Sequence, residues 1–289
     1  MRKRFSARRH GKASAIHLVA LIVTALYLIP MLYIVMVALT PTGESTIELP
    51  SRFAWENFGE ALKSSDFILF FLNSSIVTAI STACQVCLSC MAGYALAKMP
   101  IPGKKTVMLI LIALLVIPAE IIIVPLFVML THFPLMGGND IWGAGGSGLL
   151  DTYTAMIIPH LASALGIFLM RQFYIDLPDE IGESARVDGA GEFRIFSRIY
   201  TPLAIPAVSV VTVIAFQAAW NDFLWPLVTT RSNDMRTLQL GLAVFYQENS
   251  TQWNLLMATV LMMSVPVILI FLYVQRFFAD GISAGSVKQ

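Results

Sequence analysis

Apolar residues fill six long stretches of the chain, near 16–39, 67–97, 106–130, 151–174, 203–228 and 254–275, and polar residues collect in the segments between them. Each stretch can cross a hydrocarbon core of roughly 30 Å at about 1.5 Å per helical residue. Lipid offers backbone groups no partners, so only helices and closed barrels span it. The pattern therefore predicts an all-α integral membrane protein with six transmembrane helices. The first stretch follows the basic MRKRFSARRHGK, but it is too long for a secretory leader and carries no small-x-small cleavage site, so it reads as a retained helix. Pro30, Pro118, Pro125, Pro159, Pro206 and Pro266 fall inside the stretches and predict bends rather than breaks, because neighbouring helices can satisfy the freed groups.

Between the fourth and fifth stretches the pattern changes. ESARVDGAGEFRIFSRI, residues 183–199, carries six charged side chains: Glu183, Arg186, Asp188, Glu192, Arg194 and Arg198. Pro178 with Asp179 and Glu180 suits the first turn of a helix, Asp188-Gly189 is a turn or C-cap signal, and Phe193, Phe196 and Ile199 then recur at helical spacing. The segment predicts a helix-turn-helix with an apolar stripe that needs a cover. Its charges are mixed, unlike the mostly basic faces of helices that lie on anionic lipid, so a protein groove suits it better.

Composition agrees with the membrane reading: 57% of residues are hydrophobic, 13% are charged and the mean hydropathy is +0.73. This excludes an ordinary soluble enzyme. A net charge of +1 without a basic stripe gives no sign of nucleic-acid binding. Lys and Arg cluster in the N-terminal tail (Arg2, Lys3, Arg4, Arg8, Arg9, Lys12) and after the second stretch (Lys98, Lys104, Lys105), whereas 131–150 has none. The positive-inside rule places both termini and the 183–199 segment in the cytoplasm, with the loops near 40–66, 131–150 and 229–253 outside.

No glycine stands five residues before Gly11 or Gly103, so neither Gly-Lys pair completes a phosphate loop, and ATP hydrolysis by this chain alone is not expected. Gly143 to Gly148 fits G-x-G-x-x-G, but no strand precedes it, and it predicts a flexible outward loop rather than a dinucleotide site. Cys84, Cys87 and Cys90 lack the fourth ligand of a zinc site and read as small residues at a helix contact. No catalytic constellation or metal site is expected. Glu120 is an ionisable group at membrane depth, with two readings: a role along a solute path, or a structural cap or interhelical hydrogen bond. His160, beside Pro159, carries the same alternatives. Trp220, Asn221 and Asp222 supply an aromatic ring, an amide and a carboxylate that a hydroxyl-rich solute could use. The competing reading is an interfacial anchor with a helix-end cap.

ESARVDGAGEFRIFSRIYTPL resembles the cytoplasmic signature loop of ABC-transporter permeases at Glu183, Ser184, Ala185, Asp188, Gly189, Ala190, Ile199 and Pro202. Asn73-Ser74, GYALAKMPIPGKK, FLMRQFYIDLPDEI, WNDFLWPL and the terminal GISAGSVKQ are similar to blocks of the carbohydrate-importer branch, the maltose-type second permease in particular. Ser184 stands where alanine is usual, Gln289 where glycine is, and MGGNDIWGAGGSG is longer than the family's short connection.

The resemblance implies a basic tail, first helix and outward loop over 1–66, and a permease core of five transmembrane helices over 67–289. It makes the loop near 176–201 the coupling element, with Glu183, Ser184, Ala185, Arg186, Asp188, Gly189 and Ala190 facing an ATPase, and has Ser286, Val287 and Lys288 reach the ATPases. The implied partners are a second permease, two ATPases that hold ATP and Mg, an extracytoplasmic solute-binding protein and a sugar-like solute, in a bacterial or archaeal cell membrane, with no cofactor on this chain. Readings from other classes are an ion-coupled secondary transporter, for which no inverted repeat is evident, and a membrane enzyme, for which no nucleophile and base appear.

Overall fold

The computed structural model describes residues 2–64, 66–245 and 251–285; the side chains of 2–15, 64, 119, 244 and 278–285 lie outside the description. All regular elements among the described residues are helical. Two compact units form, one from residues 1–66 and 242–265 and the other from 67–241 and 266–289.

In the first unit, α1 (Arg2–Ala38) is followed by α2 (Glu56–Ser64), and the N-terminal part of α14 (Trp253–Gly285) belongs with them. Asn57 is the hub. Its buried amide donates to the carbonyls of Ala38 at 2.8 Å and Thr40 at 2.9 Å and accepts from Asn254 at 3.3 Å. Ala38, Ala61, Phe245, Leu255, Leu256 and Ala258 close an apolar core around it. The segment between α1 and the second span, expected as a loop over 40–66, thus contains the amphipathic α2, whose carboxylate Glu56 sits in its first turn and whose Lys63 sits in its last.

The second unit is built on α3 (Phe67–Lys98), whose buried residues include the polar Asn73, Ser74, Thr78, Ser81, Thr82, Gln85 and Ser89 beside Phe67, Phe70, Val77, Cys90, Gly93, Tyr94 and Leu96. Its outward side carries Ile68, Leu72, Ile76, Ile80, Leu88 and Met91. An apolar outward side is the opposite of what a soluble amphipathic helix shows. It follows from a lipid surround, where apolar faces need no cover and small side chains let helices approach. Against α3 pack α7 (Ala164–Asp176) and α11 (Ile205–Trp220). The approach is close at Gly93, where an added Cβ would lie 2.6 Å from Met170 Cβ and 2.9 Å from the Arg171 nitrogen.

Among the described residues, three helices, Ile16–Ala38, Phe67–Lys98 and Trp253–Phe277, are each long and apolar enough to cross a membrane, and three bent pairs bring the number of candidate spans to as many as six. Pro30 and Pro266 lie inside continuous helices, as does Pro125 in α5 (Ala119–Thr131). Elsewhere the expected bends are true breaks. α4 (Lys104–Val116) and α5 are separated by Ile117 and Pro118, both extended, because a residue before proline is driven out of the helical region.

The fourth stretch divides into α6 (Tyr153–Ile157) with a 3-10 turn to His160, then α7, at 42°. Ser163 Oγ accepts from the Gly166 nitrogen at 3.2 Å and starts α7 afresh. The fifth turns by 83° at Ala204, between α10 (Thr201–Leu203) and α11, with Pro206 in the first turn of α11. It breaks again before α12 (Leu224–Thr229), where Asp222 Oδ1 accepts from the Trp225 nitrogen at 3.2 Å.

The glycine-rich 137–148 run is held by local bonds rather than left loose. Asn139 donates to the Thr131 carbonyl at 2.8 Å and accepts from Gly146 at 2.7 Å, and Asp140 accepts from the Trp142 and Ala144 nitrogens. Those bonds, Ala144 first, hold the Asp140 carboxyl below its ordinary range.

Candidate functional site

The segment between α7 and α11 forms a helix-turn-helix. α8 (Glu180–Val187) ends at Asp188, and Gly189 follows at φ +82°. The Gly189 nitrogen donates to the Arg186 carbonyl at 3.0 Å and the Ala190 nitrogen to the Ala185 carbonyl at 2.9 Å. This is the paired closure of a Schellman C-cap, which needs a left-handed residue at Gly189. α9 (Glu192–Ile195) then begins, and Arg186 and Glu192 bridge the turn at 2.6 and 3.3 Å.

Beneath this hairpin lies a floor of aromatic rings from three distant parts of the chain. Tyr94, Tyr174 and Tyr200 sit with centroids 5.4–6.4 Å apart, inside a core that includes Met170, Ala185 and Ile195. Two hydroxyls fasten the hairpin down: Tyr94 donates to Glu192 at 2.9 Å, and Tyr200 to the Pro178 carbonyl at 3.1 Å. Lys98, at the end of α3 with its side chain 5% exposed, donates to the Leu177 carbonyl at 2.6 Å and to Asp179 at 2.5 Å, and its ammonium lies 5.4 Å from the Tyr200 ring centre. The hydrogen-bonded Lys98 ammonium holds the Asp179 carboxyl below its ordinary range. The hairpin is therefore tied to α3 and to the end of α7 at several points.

The expected coupling residues fall into two groups. Glu183, Ser184, Arg186, Asp188 and Gly189 are exposed, whereas Ala185 is buried in the chain's own core and Ala190 packs beside it. Ala185 thus packs into the hairpin's own floor. Glu183 makes no capping bond among the described residues; Ser184 Oγ donates back to the Ile181 carbonyl at 3.0 Å. The expected apolar stripe also divides. Phe196 and Ile199 pack inward, while Phe193 is 75% exposed and, with Val187 at 88%, forms the uncovered apolar face.

A second constellation lies among the helix breaks. Glu120 in the first turn of α5, His160 at the end of the 3-10 turn and Asp222 between α11 and α12 line one cavity of about 370 Å3, with Leu126, Leu224 and Trp225 among its apolar walls. His160 Nε2 and Asp222 Oδ2 pair at 2.9 Å, both side chains less than one fifth exposed. Trp220 does not join them. It is buried against Phe71 and Phe216, at 5.9 and 5.6 Å between ring centres. Asn221 turns back, donating to the Gln217 carbonyl at 3.1 Å and accepting from Gln239 at 3.4 Å. A larger cavity of about 600 Å3, lined by Cys87, Cys90, Phe196, Thr212 and Ile270, is almost wholly apolar and contains none of the expected site residues.

The His160 and Asp222 partnership, the Lys98 clamp and the tyrosine floor are absent from the sequence reading. No spacing rule joins residues 62 or 81 positions apart; the available signal was a lone lysine closing an apolar run and a Pro-Asp opening the next helix. Asn73 is the pin behind its motif, donating to the carbonyls of Asp234 and Arg236 at 2.7 and 2.9 Å and accepting from Tyr153 at 2.6 Å. No group of three or more His, Cys, Asp or Glu that could hold a metal occurs among the described residues. Ser286, Val287 and Lys288 lie outside them.

The family model described as binding-protein-dependent transport system inner membrane component matches residues 85–283. Among relatives, the arabinooligosaccharides transport system permease protein AraQ of Halalkalibacterium halodurans is 32% identical over 90% of each chain. The diacetylchitobiose uptake system permease protein NgcG of Streptomyces coelicolor is 30% identical over 98% of this chain and 91% of its own. The sn-glycerol-3-phosphate transport system permease protein UgpE of Yersinia pestis is 30% identical over 95% and 97%. A crystal structure of a bacterial ABC transporter involved in the import of the acidic polysaccharide alginate contains a chain of the same fold, with a TM-score of 0.74 at 24% identity over 94% of this chain and 98% of that one. With the family match covering more than half its length and relatives at 30% identity or better along nearly all of it, the chain belongs to the inner membrane components of binding-protein-dependent transport systems.

Proposed function

We propose that this chain is one permease subunit of an ATP-driven, binding-protein-dependent importer of a carbohydrate or sugar-like solute. It supplies half of a translocation pathway by alternating access between six spans, with both termini in the cytoplasm. A second permease supplies the other half, two cytoplasmic ATPases bind ATP and Mg, and an extracytoplasmic binding protein delivers the solute. This chain holds no cofactor and performs no catalysis. The substrates named for AraQ and NgcG support a sugar, while that named for UgpE keeps a non-sugar solute as the second reading.

The observation that carries the coupling role is the uncovered pair Val187 and Phe193 on a hairpin fastened to α3 and α7 through Lys98, Tyr94 and Tyr200. An exposed apolar knob on a rigidly tied support transmits displacement to the spans when a groove grips it. The terminal Ser286, Val287 and Lys288 add a second contact between the ATPases. Phe193→Asp places a charge where the side chain is already in the open, so folding and insertion should persist while ATPase co-purification falls at least tenfold. Normal recovery of ATPase with that variant contradicts the coupling assignment. Deleting 285–289 should lower coupled ATP hydrolysis without loss of insertion; full transport by the truncated chain contradicts the tail contact.

A further inference from the structure

The cavity at the helix breaks carries a statement about solute charge, which rests on the importer reading and deepens it. Three separate interruptions converge there: Pro118 before α5, the turn ending at His160, and Asn221 to Phe223 before α12. Unwound backbone at membrane depth is tolerated only when covered by protein or when it lines a water-filled space. Glu120 is exposed on a helix whose neighbours Ile121 and Val124 are exposed apolar residues. A carboxylate on such a face is costly against lipid and belongs against water or a polar partner. The cavity volume lies within the range of small-ligand clefts, about 300–1,000 Å3.

We infer that this cavity is a charge filter on the solute path, admitting neutral or amino-bearing polyols and repelling anionic ones such as sugar phosphates and uronates. Two carboxylates, Glu120 and Asp222, face at most one imidazolium, His160, and none of the lining residues is Lys or Arg. The remaining walls are apolar, among them Leu126, Leu224 and Trp225, and low-dielectric walls focus the field of the carboxylates into the space between them. The His160 and Asp222 pair keeps one carboxylate oriented across the cavity while its other oxygen starts α12. Hydroxyl groups can donate to both carboxylates; a phosphate or carboxylate entering the same space meets like charge with no Lys or Arg in the lining to compensate it.

The test needs no knowledge of the natural solute. In the assembled importer, with Cys84, Cys87 and Cys90 replaced by serine, Leu224→Cys places a thiol on the cavity wall. Its modification rates by the cationic trimethylammonium-ethyl and the anionic sulfonato-ethyl methanethiosulfonates are measured relative to their rates with a free thiol in solution. The filter predicts a preference for the cationic reagent of about tenfold, falling at least threefold in Glu120→Gln and further when Asp222→Asn is added. Equal rates for both reagents, a preference unchanged by Glu120→Gln, or a thiol unreactive to both overturns it. The Glu120 side chain is already exposed, so its variant should fold normally, and Asn at 222 still accepts from the Trp225 nitrogen. Failure of ATP-dependent uptake by the wild-type complex would refute the importer reading and leave these rates untouched, so the two claims fail separately.

Discussion

Gly189 has φ +82° and nothing within 4 Å of where a Cβ would stand, so the cost of replacing it is conformational rather than steric. Gly189→Ala should loosen the hairpin by about 1 kcal/mol, and a β-branched residue by more. Gly189→Val should accordingly lower ATPase recovery with the purified complex, whereas Gly189→Ala should retain most of it. Arg186→Ala removes an ion pair that is 40% and 41% exposed, a change of about 0–1 kcal/mol, and should leave ATPase recovery nearly unaltered. Ala185→Trp tests something else: with Ala185 in the core against Met170 and Tyr200, it should reduce the yield of folded protein itself. Lys98→Met strands the Leu177 carbonyl, at about 1–3 kcal/mol, and should lower the thermal midpoint of the detergent-purified complex by a few degrees.

The sign of the pH effect follows from the lowered Asp179 pKa. Its stabilisation is present above the ordinary value of 3.8 and is lost as pH falls through the lower folded value. The Lys98 link should therefore be insensitive to pH between about 5 and 8. The turn at Gly189 was legible because Asp-Gly signals a chain reversal wherever it stands; the inward direction of Ala185 was not, since it depends on three tyrosines contributed by α3, α7 and the segment after α9.

The contact of α3 with α7 depends on Gly93. A leucine there would drive its Cβ into Met170 and the Arg171 backbone, and overpacking of this kind costs about 1–3 kcal/mol or more. Gly93→Leu should reduce complex assembly while leaving the isolated chain in the membrane fraction. An unchanged yield of complex shows that the helices can separate without penalty. The extent of the apolar stretches was visible in the sequence because their length is set by bilayer thickness, and α3 begins at Phe67 and ends at Lys98 against an expected 67–97. Where the stretches break was less visible. Pro118, Pro125 and Pro266 look alike in sequence, yet only the first ends a helix, because the outcome depends on whether neighbouring groups take up the freed carbonyls. The same dependence assembled Glu120, His160 and Asp222 around one cavity and left Trp220 in the core, although Trp220 and Asp222 are only two residues apart.

At the scale of the molecule, the exposed apolar surface of Ile16–Ala38 and the outward face of α3 require lipid or protein cover, and the hairpin's Val187 and Phe193 require a partner outside the spans. An integral membrane subunit that couples to its neighbours through the hairpin accounts for all three. The proposed topology, which rests on the Lys and Arg distribution, has Thr46 and Gly145 outside and Ser6 inside. Cysteines introduced at the first two should react with an impermeant reagent in intact cells, and one at the third should react only after permeabilisation; the opposite pattern contradicts the orientation.

The central claim, that ATP hydrolysis elsewhere moves solute through this chain by way of its hairpin, is tested most directly by uptake into proteoliposomes. These would contain the chain, its partner permease and the ATPases, with the binding protein added outside and labelled arabinooligosaccharide and diacetylchitobiose as probes. The account predicts uptake that requires both internal ATP and the binding protein, and that Phe193→Asp abolishes it while the chain remains inserted. Uptake by the chain alone under an ion gradient, or full ATP-driven uptake with Phe193→Asp, contradicts it.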